Sequence, residues 1–234
     1  MRLPHLAHTL AISSFALALA ACGGETASTD AAPETETATE VTETTDAAAE
    51  ATATSFASLE GEVETGGYVM DKGHGYVTFS YSHLGFSNPR LRFRDIDATL
   101  ALNAEEPAES GLEVTIAAAS IDSGVDVFDE HLNSADWFDT AEYPTITFFA
   151  TDLEQTADGA GTVTGDLTVK GVTQSVTLDV ELLAAGQHPI ARKDTVGINA
   201  TTTILRSDFG LGAYAPGVSD EVEIFISAEF NKSE

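Results

Sequence analysis

The sequence has few cysteines and few basic side chains, and both shortages limit what the protein can be. Its one cysteine, Cys22, cannot form an internal disulfide and makes a cysteine-based metal site implausible. Ten Lys and Arg residues stand against 38 Asp and Glu, giving a formal net charge of -28 at pH 7. This balance argues against nucleic acid as a partner and against electrostatic docking on anionic lipid, because both need clustered basic side chains. The one basic cluster, Arg90, Arg92 and Arg94, alternates along a predicted strand and is interpreted as a solvated face.

Motifs that carry catalysis are also missing. The chain has no GxSxG, no HExxH, no Gly-rich phosphate loop and no cysteine nucleophile. We therefore expect neither an enzyme nor a bound cofactor.

The histidines do not predict a metal site either. His74 and His83 have opposite parity along one predicted strand, so their side chains face opposite sides of it. His131 belongs to another predicted element, and His188 lies in a Pro-flanked loop. No bound metal is expected.

The first 21 residues have the features of a bacterial signal peptide. Arg2 supplies a positive charge, and the apolar run over residues 10–20 is too short to span a bilayer. The run ends in Leu-Ala-Ala-Cys22-Gly23, which resembles a lipobox. We expect Cys22 to be lipidated and to anchor the protein in a membrane. Gly23, in place of Asp, resembles the sorting pattern of outer-membrane lipoproteins and favours the outer membrane, facing the periplasm. An ordinary secretory signal with an incidental Cys22 is the alternative.

Residues 22–66 form a distinct segment rich in Thr, Ala and Glu. Eleven acidic residues lie between Glu25 and Glu64, and no Lys or Arg occurs between Arg2 and Lys72. Such a composition cannot bury enough apolar area to offset its ordering entropy, so the segment is predicted to be a disordered tether. It would either lift a domain off the membrane or simply add solubility.

From Tyr68 onward the apolar residues recur with a period of two, which is typical of β-strands. Val77, Phe79 and Tyr81, for example, are separated by Thr78 and Ser80. Residues 67–234 are therefore predicted to form one all-β domain. Its eight strands are expected at 67–83, 90–103, 111–121, 144–154, 161–170, 174–184, 195–206 and 221–231.

One segment, Val125 to Phe138, departs from this alternation. Phe128, Leu132 and Trp137 predict a short helix or helical turn there. Antiparallel strands with one apolar face must curl that face inward, and eight of them can close into a barrel. The predicted fold is an eight-stranded antiparallel β-barrel with one short helix. Its interior is either filled by side chains or holds one ligand.

Several motifs follow one another along the predicted domain. They are Tyr68-Val69-Met70-Asp71 with His74, Val77 to Gly85 (VTFSYSHLG), Leu132 to Asp139 (LNSADWFD), Tyr143 to Phe148 (YPTITF), Gly165 to Thr173 (GDLTVKGVT) and Arg206 to Gly210 (RSDFG). In this order and spacing they resemble the YceI family, the lipocalin-like polyisoprenoid-binding proteins of bacterial envelopes.

The resemblance implies an extended barrel whose apolar tunnel holds a long lipid without catalysis. A polyisoprenoid such as a prenyl quinone or polyprenyl phosphate is the expected partner, carried or stored. A ligand-free stress or interaction lipoprotein with a filled barrel is the alternative. Two departures, Leu91 where the family usually has Gly and Phe128 where it often has Arg, make this chain more apolar. A homodimer is compatible with the sequence, which does not determine the oligomeric state.

The candidate ligand-binding residues are mostly inward-facing or aromatic. They are Val77, Phe79, Tyr81, His83, Phe86, Phe93, Trp137, Phe138, Ile146, Phe148, Leu167 and Phe209. His83 would either bind a quinone carbonyl or phosphate at the tunnel mouth or be a plain core or rim histidine. Arg206 and Asp208 are expected to pair with each other or with Asp71 and so to fix the barrel end. Tyr214 and Trp137 are expected to close the tunnel mouth.

Overall fold

The computed structural model describes residues 62–234. The signal peptide, the lipidation of Cys22 and most of the tether lie outside the described residues. Val63 is already buried, and the Tyr68 hydroxyl donates to the carbonyl oxygen of Glu64 at 2.5 Å. The packed domain therefore begins a few residues before the boundary at 67 that composition suggested.

Strands dominate the described part of the chain, with one α-helix, α1 at Asp126–Asn133, and short 3₁₀ turns. The strands are β1 Gly66–Ser80, β2 Arg90–Phe93, β3 Ile96–Leu102, β4 Gly111–Ala117, β5 Ile121–Asp122, β6 Thr145–Ala157, β7 Ala160–Val169, β8 Val172–Gln187, β9 Asp194–Leu205 and β10 Glu221–Lys232. None of the helices within residues 62–234 combines the length and apolar character that crossing a bilayer requires.

Eight antiparallel strands close into a barrel, which confirms the fold predicted from the sequence. Each strand pairs with its neighbour in the order β10-β9-β8-β7-β6-β4-β3-β1, and β10 returns to pair with β1. Two predicted strands are interrupted: 90–103 is divided into β2 and β3, and 111–121 into β4 and β5. The first half of β1 pairs with β3 and its second half with β2, so β2 and β3 form one broken line. At the break, the Ser120 hydroxyl accepts hydrogen bonds from the backbone N–H groups of Arg94 and Asp95.

A bulge in β1 changes which residues face inward. Met70 pairs with Phe230 and Gly75 with Ala228, so residues 71–74 lie opposite Glu229 alone. Even-numbered Tyr68 and Met70 are buried before the bulge, whereas odd-numbered residues face inward after it. Period-two reasoning works on each side of the bulge but not across it.

The turn between β7 and β8 lies one residue earlier than expected. The predicted strands 161–170 and 174–184 left residues 171–173 for the turn, but Val172 already belongs to β8. Lys170 and Gly171 form the connection with φ of 48° and 73°. A two-residue hairpin with positive φ at both positions matches the twist of the strands it joins.

Candidate functional site

The barrel encloses one large apolar cavity of about 630 Å³. Alternate side chains of the barrel strands line it, because the residues of one parity all face inward. Its volume lies within the range of about 300–1,000 Å³ that is usual for ligand pockets. The barrel is therefore not filled by its own side chains.

Most of the candidate residues line this cavity. The eleven that do so are Val77, Phe79, Tyr81, His83, Phe93, Trp137, Phe138, Ile146, Phe148, Leu167 and Phe209. Phe86 does not join them and is 90% exposed. It lies in the tight turn that follows β1, where the N–H of His83 donates to Ser87 and the N–H of Phe86 donates to His83. This turn directs the Phe86 ring away from the barrel, so its inclusion was wrong.

Sequence reasoning missed much of the opposite wall, which β8, β9 and β10 supply. Leu178, Val180, Ile198, Ile224 and Ile226 all line the cavity. The signal that identifies them was present, since they follow the same period-two alternation. The alternation predicted their face but not that the interior was hollow.

The two departures from the family pattern both add to the cavity wall. Leu91, on β2, is 2% exposed, and Phe128 reaches the cavity from α1. Each replaces a smaller or polar group with apolar surface.

No Asp, Glu or Lys of residues 62–234 lines the cavity. Burying an ionised carboxylate without a partner costs several kcal/mol or more, so the acidic side chains stay outside. Arg206 is the one charged lining residue that the described chain provides. A very acidic protein thus has an interior surface without negative charge.

Aromatic side chains cover the end of the barrel nearest to α1. The Phe93 ring lies 5.7 Å from that of Phe79 and meets Phe138 edge-on at 6.0 Å. Trp137 stacks on Tyr214 with 6.2 Å between ring centroids. Both residues line the cavity, and Tyr214 is 72% exposed, so the pair lies where the interior meets solvent.

Arg206 is buried at this same end and does not have the partners expected from the sequence. Neither Asp208 nor Asp71 pairs with it. Its guanidinium instead donates to the carbonyl oxygens of Leu211, Val218 and Ser219. These carbonyls belong to the loop before β10, which the sequence could not place beside Arg206.

Tyr81 lines the cavity close enough to Arg206 for the charge of the guanidinium to affect the pKa of the phenol. Burial raises the pKa of the Tyr81 phenol, and the positive charge of Arg206 opposes that rise. The phenol is therefore a neutral hydrogen-bond donor at neutral pH.

His74 belongs to a separate polar cluster on the outside of the barrel. Its Nδ1 lies 2.9 Å from a carboxylate oxygen of Asp71 and 3.9 Å from one of Glu229. The hydrogen bond with Asp71, with the nearby charge of Glu229, raises the pKa of His74. Asp71, His74 and Glu229 each offer one atom that could bind a metal ion, and these atoms lie within 4.8 Å of one another. The sequence did not predict this cluster, because the bulge in β1 brings the three residues together. His74 and His83 do lie on opposite faces, as parity suggested.

The fold and cavity define the class of this protein: a closed, lipocalin-like antiparallel barrel with an apolar interior. Residues 68–230 match the YceI-like domain family. Protein YceI of Escherichia coli O17:K52:H18 is 37% identical over 180 residues, covering 75% of this chain and 93% of that protein. The chain belongs to the YceI family.

Two solved structures show the same architecture. Burkholderia cenocepacia BcnA is 25% identical, with a TM-score of 0.62 over 68% of this chain and 98% of BcnA. A polyisoprenoid binding domain from Saccharophagus degradans, implicated in plant cell wall breakdown, gives a TM-score of 0.54. It covers 73% of this chain and all of that domain at 15% identity, so it supports the fold alone.

Proposed function

We propose that this protein binds a long apolar lipid inside its barrel and does not catalyse a reaction. The preferred ligand is a polyisoprenoid, such as a prenyl quinone or a polyprenyl phosphate, which the protein carries or stores. One observation carries the proposal: the cavity of about 630 Å³ is lined almost entirely by apolar side chains. The polyisoprenoid binding domain named above shares this fold, and the ligand class of that domain is the one we propose for this chain.

The expected binding energy is large enough without any catalytic group. At about 0.3 kcal/mol per heavy atom, a chain of about forty carbons gains about 12 kcal/mol. The absence of carboxylate, cysteine and lysine from the cavity wall formed by residues 62–234 supports a binding role over an enzymatic one. The open interior equally disfavours the alternative of a filled, ligand-free barrel.

Solvent extraction tests the proposal directly. Protein purified from its native envelope is extracted with organic solvent, and the extract is analysed by mass spectrometry. We expect one long-chain lipid in about a one-to-one ratio with protein, absent from a mock preparation of cells lacking the gene. Native protein that yields no such lipid contradicts the proposed role.

We further propose that Cys22 anchors the protein in the cell envelope. The lipobox-like sequence before it and the acidic segment over residues 22–66 support an anchor followed by a tether. Replacing Cys22 with Ser should abolish incorporation of labelled palmitate and move the protein from the outer-membrane fraction to the soluble periplasm. Unchanged fractionation of Cys22→Ser contradicts the anchor and favours an ordinary secretory signal.

A further inference from the structure

The two ends of the cavity differ in chemistry. Tyr81 and His83 follow β1 and Arg206 follows β9, and these strands run in the same direction because each is antiparallel to β10. We call Tyr81, His83 and Arg206 the polar end of the cavity; all three line it. The other end is lined by apolar residues such as Met70 and Phe230, with Ser110 as a polar exception.

Arg206 brings a buried positive charge to the polar end of the cavity. The residue is 7% exposed, and it forms no ion pair with any acid in the described part of the chain. Its three hydrogen bonds all go to backbone carbonyl oxygens, which carry only partial negative charge. The nearby Asp220 carboxylate interacts with the charge of Arg206, but its hydrogen bonds come from the N–H and the hydroxyl of Ser207. The Arg206 guanidinium also lies over the Trp137 ring, 5.8 Å from its centroid. A buried charge left this way is expensive unless a partner binds.

The two other members of the polar end have side chains with unused hydrogen-bonding capacity. Neither the Tyr81 hydroxyl nor the His83 ring bonds to any residue in the range 62–234. Both are held next to Arg206 by one segment: Ser82 exchanges hydrogen bonds with Ser219, and Arg206 donates to the Ser219 carbonyl. One guanidinium, one phenol and one imidazole from these three residues therefore line the same end of an apolar cavity.

We propose that the polar end binds the oxyanion head group, phosphate or carboxylate, of a lipid whose tail fills the cavity. This inference rests on the proposed lipid-binding function and adds the head-group class and the orientation. An oxyanion forms the ion pair that Arg206 lacks within residues 62–234 and accepts hydrogen bonds from Tyr81 and His83. Hydrogen bonds between charged partners are roughly twice as strong as neutral ones, so an alcohol of equal tail length binds less well. The acidic exterior repels anions at long range, so the selectivity comes from this local group.

Three ligands with one tail test the proposal: geranylgeraniol, geranylgeranyl monophosphate and geranylgeranoic acid. The full chain is stripped of lipid, and each Kd is measured from the fluorescence of Trp137, the only tryptophan in the sequence and a cavity residue. We expect at least one of the two acids to bind about tenfold or more tightly than the alcohol. The acid that binds more tightly identifies the head group as phosphate or carboxylate.

Variants assign the preference to the polar end. Arg206→Met should bring the ratio of acid affinity to alcohol affinity close to one, whereas Arg206→Lys should keep a preference for the acid. Arg90→Met is the matched control, because Arg90 is exposed outside the cavity and its substitution removes the same charge. It should bind like the parent. Tyr81→Phe, which removes one hydroxyl, should lower the ratio of acid affinity to alcohol affinity a few-fold. This variant tests the head-group site if Arg206→Met does not fold.

The possible failures are distinguishable. Equal affinity for all three ligands in the parent, or a preference that survives both Arg206→Met and Tyr81→Phe, overturns the head-group inference and leaves lipid binding intact. Failure of all three ligands to bind overturns the proposed function itself.

Discussion

A single bulky side chain in the middle of the cavity should separate lipid binding from folding. Ala98 is 5% exposed, lines the cavity and lies near the middle of the line formed by β2 and β3. A Phe at this position would project a ring across the tunnel. Ala101 lies on the same strand but is exposed on the outside of the barrel. Ala101→Phe is therefore a control of equal chemistry on the opposite face.

The expected loss of affinity follows from the part of the tail that is displaced. If the ring blocks the tunnel halfway, about ten carbons of geranylgeraniol stay in water, at a cost of about 3 kcal/mol from about 0.3 kcal/mol per heavy atom. This corresponds to a Kd on the order of a hundredfold weaker. The penalty of about 1–3 kcal/mol for overpacking applies to filled cores, and here the ring enters empty space. The free energy of unfolding of ligand-free Ala98→Phe should therefore stay within about 1 kcal/mol of the parent.

Two measurements on three proteins decide the outcome. Titration with geranylgeraniol, followed by the fluorescence of Trp137, gives each Kd, and urea unfolding without ligand gives each stability. Ala101→Phe should match the parent in Kd and lie within about 0.5 kcal/mol of it in stability, as is usual for surface changes. If Ala98→Phe binds as tightly as Ala101→Phe, the tail does not occupy the interior and the reasoning fails.

Two further predictions concern the scaffold. An added Cβ at Gly165 would lie 2.5 Å from the carbonyl oxygen of Phe149, so Gly165→Ala should destabilise the fold by about 1–3 kcal/mol in urea unfolding. Gly197→Ala, whose Cβ would meet its nearest neighbours at 3.9 Å, should be close to neutral. His74 should titrate above 6.5 by NMR, and Asp71→Asn should lower its pKa toward that value. Because the pKa of His74 is raised and that of Asp71 is lowered, their pairing stabilises the fold most between pH 3.8 and 6.5. This stabilisation weakens as pH rises through the folded pKa of His74 or falls through that of Asp71. A His74 pKa that Asp71→Asn leaves unchanged contradicts the pairing.

Most of the barrel could be predicted because each strand shows its own alternation of apolar and polar residues, which does not depend on distant parts of the chain. The bulge over residues 71–74 could not, because its position depends on pairing with Glu229 at the far end of the chain. The same limit explains the wrong partners for Arg206: its carbonyl acceptors lie in a loop that only the closed barrel brings near. The exposure of Phe86 reflects a turn with positive φ at Leu84 and Gly85, which apolar patterning does not reveal.

The hollow interior has a different origin and was the least predictable feature. Alternation predicts which face of a strand points inward, but not whether side chains from opposite walls meet. Alternation therefore left both a filled and a hollow barrel open, and the family resemblance favoured the hollow one. The structure decides between them through the size of the barrel relative to its side chains.

The two parts of the candidate site are built by different elements, and this separates their consequences. Strand residues form the apolar wall, whereas the polar end is assembled by connections: the turn after β1, the 3₁₀ turn at Arg206–Phe209 and the loop before β10. A substitution on a strand changes the length and width available to a tail, because it alters the wall along the barrel. A substitution of Tyr81, His83 or Arg206 in the connections changes the charge and the hydrogen-bond donors offered to a head group and leaves the strand wall as it is. Tail length and head-group preference should therefore vary independently, and a variant that loses one while keeping the other is what this division of the barrel predicts.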